Sequence, residues 1–124
     1  MTDDSIRPTR QAQAQAILQR RAAKLASEIL GRRASTAADF AEAFTLERVD
    51  VIAEIATVEA LLALGRNHTG PRDGLYVMEE AEGFRVYIQE RGIPHDGLSG
   101  LSFDEARQAV IDRLLLLNGI PFDL

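Results

Sequence analysis

GLYVMEEAEGFRVYIQE, residues 74–90, decides the fold. Leu75 and Val77, then Phe84, Val86 and Ile88, alternate with Tyr76, Met78, Arg85, Tyr87 and Gln89. Successive side chains of a strand point to opposite faces, so this period of two in Val, Ile, Tyr and Phe predicts two strands. Glu80 to Gly83 supplies the turn of an antiparallel hairpin. Upstream, GRNHTGPRDG (65–74) holds three glycines and a proline and predicts a loop. Downstream, Arg91 to Gly100 predicts a second loop, with Gly97 to Leu101 as a short third strand in the alternative.

The segments further out read as helices. From Thr9 to Leu30 there is no Gly or Pro, and Ala14, Leu18, Ala22, Leu25 and Ile29 recur at helical spacing, which predicts one helix closed by Gly31. QAQAQA within it reads as helix former only. Thr36, with Asp39 three residues on, predicts the N-cap of a short helix carrying Phe40, Ala43 and Phe44. Thr45 is read as its end and as the cap of the next helix. Over Leu46 to Leu64 the residues Val51, Ile55, Val58 and Leu62 form a stripe, with Gly65 as the stop. Ser102 and Glu105 make a capping box for a last helix striped by Phe103, Ala106, Val110, Leu114 and Leu117 and ended at Asn118-Gly119.

The expected fold class is therefore α+β: a helical N-terminal half packed on a small antiparallel β-hairpin or three-stranded sheet, followed by a C-terminal helix. Residues 1–8 are expected to be a flexible tail and 9–124 a single domain, with 9–64 helical and 75–124 the hairpin plus C-terminal helix. Two strands alone do not make a stable sheet. A third strand, a helical cover or an edge paired across a homodimer must complete it.

Composition narrows the function. The 124 residues include no Cys, which removes disulfides and thiolate zinc sites. No fully apolar run exceeds the five residues Ala60 to Leu64, and the polar start lacks a secretory pattern, so the expectation is a cytoplasmic chain with no membrane span. The net charge of −5 is uneven: residues 1–34 carry seven basic and three acidic groups, +4, which leaves −9 for the rest. Such an acidic part steers a basic partner.

No catalytic constellation stands out, and no cofactor or metal is expected. His68 and His95 lack the spacing of a metal site, and Ser99, Ser102 and Thr69 lack a nucleophile elbow. The one enzymatic arrangement to weigh is His95 with Asp96 or Glu90. Arg20, Arg21 and Lys24 share a face of the first expected helix, but without interleaved aromatics or a recognition motif they disfavour a nucleic-acid role. Glu79, Glu80 and Glu82 at the hairpin turn, with Asp73 and Asp96 in the flanking loops, are the candidate partner-binding residues.

Val86, Tyr87, Glu90, Arg91 and Gly92, followed by Phe103, Glu105 and Ala106, form a pattern of their own. A strand ending V-Y-x-x-E-R-G leads through a loop to F-x-E-A at a helix start. Residues 74–117 in this respect resemble small bacterial immunity proteins encoded beside polymorphic or contact-dependent toxins. Ile88 stands where that family's strand tends to carry a second Tyr. The resemblance implies a non-enzymatic protein that neutralises a cognate toxin domain by stoichiometric occlusion, and the acidity of the chain suits a basic one. The competing expectation is a homodimeric adaptor or regulatory module.

Overall fold

The computed structural model describes residues 7–119, 123 and 124, apart from the Asp96 side chain. Most of the tail read over residues 1–8 therefore lies outside the described residues, as does Pro121, the expected stop after the last helix. The architecture is α+β: helices in the N-terminal half, then an antiparallel sheet, then a C-terminal helix. Two compact units are present, Met1–Glu54 with Leu114–Leu124, and Ile55–Arg113.

In the first unit the single helix expected over Thr9 to Leu30 is two, α1 (Arg10–Leu18) and α2 (Ala22–Leu30). Arg20 has a φ of 59°, the left-handed region, which L-residues other than Gly enter at a cost. The Arg21 amide bonds back to the Ala16 carbonyl and the Arg20 amide to Ile17, closing α1 as a Schellman turn. Asn118 holds the break from the side. Its buried amide accepts from the Ala22 N–H at 3.1 Å and donates to the Ile17 carbonyl at 3.0 Å. The first contact satisfies the Ala22 amide, an orphan donor that a continuous helix would have paired internally, and the second adds a donor to the Ile17 carbonyl beside the Arg20 amide.

Gln13, read as a helix former, is instead fully buried. Its Nε2 donates to the Pro8 carbonyl and the Thr45 hydroxyl, and its Oε1 accepts from the amides of Thr45 and Leu46. Thr45 is thus engaged with α1 rather than capping the next helix. The Thr36–Asp39 capping box forms as expected and opens α3 (Ala37–Ala43). The helix expected from Leu46 to Leu64 is also divided, into α4 (Arg48–Glu54) and α5 (Val58–Leu62). Thr57 is the cause: its hydroxyl accepts from the Ala60 amide and restarts the helix.

In the second unit α5 leads to Gly65, whose backbone runs against the sheet. A Cβ there would lie 2.8 Å from the Leu75 carbonyl oxygen, so close approach, beyond any helix stop, calls for Gly. The sheet order is β1 (Gly74–Glu80), β2 (Gly83–Glu90), β3 (Ile93–Leu101), antiparallel throughout. β1 and β2 pair without interruption from Gly74↔Gln89 to Glu80↔Gly83, the expected hairpin.

The loop expected over 91–100 is a strand, longer than the Gly97–Leu101 alternative. Arg91 (φ 52°) and Gly92 (φ 77°) form a two-residue turn with both φ values positive, and that geometry matches the twist of the flanking strands. Two register shifts against β2 then absorb the Gly-rich sequence as bulges.

Both sheet faces are buried along β1 and β2. One carries Leu75, Val77, Phe84 and Val86. The other carries Tyr76 and Tyr87, stacked with centroids 4.7 Å apart, together with Met78. α6 (Phe103–Leu117) opens on the expected Ser102–Glu105 capping box, and Phe103 meets Phe84 at 6.3 Å.

Candidate functional site

The β1–β2 tip gathers the acidic residues. Glu79 and Glu80 end β1, Glu82 sits in the two-residue turn with Ala81, and all are exposed. Among the described residues none of the three has a hydrogen-bond or ion-pair partner. Several other carboxylates are committed to the fold, although, among the described residues, exposed Glu59 and Glu90 are not. Asp39 and Asp50 hold Arg32 and Arg10, Asp104 holds Arg107, and Glu105 caps α6. Three unsatisfied carboxylates within four positions repel one another, and their field points outward to solvent.

Beside the tip lies a shallow concavity of about 340 Å³ lined by Glu80, Arg85, Gly97, Leu98 and Ser99. It draws on all three strands, because β3 returns to the tip where Phe84 pairs with Leu101. Leu98 is 45 % exposed and Ile93 59 %, and β3 is the outer strand of the sheet. The opposite outer strand, β1, is bridged by Arg66: its amide donates to the Leu75 carbonyl and its carbonyl accepts from Val77. Sequence reading took residues 91–100 as a loop and so missed Leu98 and Ser99. The available signal was Gly92 alone, since Arg91 is not a residue that favours the left-handed first position of such a turn.

Asp73 does not join the tip. It precedes β1 at the other end, about 20 Å away at the rise of a strand. Its two carboxylate oxygens accept from the amides of Gly92 (3.1 Å) and Arg91 (2.9 Å), tying the β2–β3 turn to the start of β1. Those two N–H groups, Gly92 first, hold the Asp73 carboxyl below its usual range. A carboxyl lowered in the folded state stabilises above the ordinary value near ~4, and that stabilisation is lost as pH falls through the lowered value. Urea midpoints of the wild type should therefore exceed those of Asp73→Asn at neutral pH and converge on them in acid. Curves that stay parallel down to pH ~2 would show that the tie contributes nothing.

Asp96 lies in β3, and its side chain lies outside what the structure describes. His95 is exposed opposite Ile88, and Glu90 is exposed where β2 turns. Among the described residues no three His, Asp or Glu side chains converge to hold a metal, and no helix is long and apolar enough to cross a membrane. Arg20, Arg21 and Lys24 do not share one continuous helix face. Arg20 is in the left-handed turn, Arg21 is the N-cap of α2, and only Lys24 is helical.

A second concavity, about 420 Å³, is lined by Gly65, Arg66, Asn67, His68, Gly70, Pro71, Arg72 and Tyr76. Sequence reading gave this segment as a loop; its density of basic side chains between glycines was the available signal. The chain matches no family model, and neither a curated protein nor a solved structure resembles it.

Proposed function

We propose that this chain is a non-enzymatic binding protein of the immunity type, acting in the cytoplasm by occluding a basic toxin domain, and that the β1–β2 tip and the adjoining part of β3 form its docking surface. The observation that carries this reading is the contrast among carboxylates. Glu79, Glu80 and Glu82 are exposed and uncommitted, while Asp39, Asp50, Asp73 and Glu105 are spent inside the fold. Exposed Leu98 supplies an apolar centre beside that charge. Opposite charge across such a surface raises the association rate and makes it sensitive to salt.

The test is capture from the native host with tagged wild type and with the triple reversal Glu79→Lys, Glu80→Lys, Glu82→Lys. A stoichiometric basic protein should come down with the wild type and not with the variant. For the isolated pair, the reversal should slow association by about tenfold or more at low salt. Equal capture by both proteins sinks the acidic docking surface. The second reading, a homodimeric adaptor, draws on the open β3 edge with exposed Ile93 and Leu98. Recovery of the chain only with itself, as a dimer, would favour it.

A further inference from the structure

We propose that the concavity over residues 65–72 binds a small phosphate-bearing anion. Arg66, His68 and Arg72 line it with Asn67, and all four are exposed. Among the described residues none of the three basic side chains has a carboxylate partner. The carboxylate nearest in sequence, Asp73, is occupied by the Arg91 and Gly92 amides and does not neutralise them. In a chain of net charge −5 this is a local concentration of uncompensated positive charge.

The loop is also held before any ligand arrives. The buried Tyr76 hydroxyl lies within hydrogen-bond distance of the Gly70 and Arg72 carbonyls and donates its single proton between them, and the two N–H groups of the Gln89 amide donate to the same two oxygens at 3.0 Å each. The Arg66 Nε donates to the Asp73 carbonyl at 3.3 Å, and the Arg66 backbone is pinned to β1. The loop carbonyls thus turn inward to the sheet, while the guanidinium ends of Arg66 and Arg72 remain as donors. A pre-ordered frame spares a ligand the cost of ordering the loop. Guanidinium groups suit phosphate because they offer paired N–H donors in one plane.

The volume of about 420 Å³ falls in the range of small-molecule sites. A polynucleotide is the poorer match, because the acidity of the rest of the chain repels a long phosphate backbone.

The probe is inorganic pyrophosphate, titrated into the full chain by calorimetry and by amide NMR. Saturable binding is expected, with shifts concentrated at residues 65–72. Arg72→Gln with His68→Gln should weaken it by about tenfold or more, the loss expected for charge-assisted contacts. Arg20→Gln, a change in the other unit, should leave it unchanged. The double variant alters only exposed side chains, and an unchanged urea midpoint checks that it is folded. The proposal is overturned if no saturable binding occurs at millimolar pyrophosphate, or if the shifts map elsewhere. Equal affinity in the double variant would overturn it too, as would binding of a short oligoribonucleotide in place of pyrophosphate.

Discussion

Asn118→Ala should destabilise the protein by about 1–3 kcal/mol, because it strands a buried backbone amide. The Ala22 amide loses its acceptor in a fully buried residue, out of reach of replacement water, while the Ile17 carbonyl loses one of two donors and keeps the Arg20 amide. Arg20 would then remain in its left-handed conformation without the clamp beside it. The measurement is the urea midpoint against Leu116→Ala, in the last turn of α6 just before Asn118 and 75 % exposed. Leu116→Ala should stay within about 0.5 kcal/mol of wild type. Equal losses in the two variants would mean that Asn118 does not hold the α1–α2 break.

Gly83→Ala should cost about 2–4 kcal/mol by a different route. Gly83 has a φ of 126°, and a Cβ there would lie 2.6 Å from the Leu101 carbonyl oxygen and 3.0 Å from the Gly100 carbonyl carbon. Both obstacles are backbone, so no side chain can swing away. Gly92→Ala is the matched comparison. Its φ of 77° is also left-handed, yet nothing stands within 4 Å of the added methyl. It should cost only the conformational penalty, about 1–2 kcal/mol. If Gly83→Ala proves no worse than Gly92→Ala, the close approach of β3 to the tip is not a constraint.

The parts legible in the sequence are those whose cause is local. The period of two over 74–90 yields the hairpin in its observed register, and the Thr36–Asp39 and Ser102–Glu105 pairs place their helix starts correctly. The helix breaks were hidden for two reasons. At Arg20 the local sequence favours helix, and the stop depends on Asn118, about a hundred positions away in the chain. At Thr57 the apolar stripe continues through the break, and periodicity outweighed a capping residue that was in plain view. QAQAQA is helical as expected, but the burial of Gln13 is not legible in it, because the partners at Thr45 and Leu46 lie 32 and 33 positions away.

The candidate site divides along the same line. The acidic tip was readable because hairpin turns project into solvent. Asp73, 2.9 Å from the Arg91 amide but eighteen positions from it in sequence, was not, since its partners are backbone amides that no side-chain pattern marks.

The first unit is assembled from two separated stretches, Met1–Glu54 and Leu114–Leu124, whereas the second is one uninterrupted run, Ile55–Arg113. On the ribosome that difference fixes an order. The sheet, α5 and the start of α6 have every residue they need once position 113 has emerged. The earlier helices have been waiting since position 54, with the α1–α2 turn lacking the Asn118 amide that completes it. The part of the chain synthesised first is thus the part whose contacts are completed last.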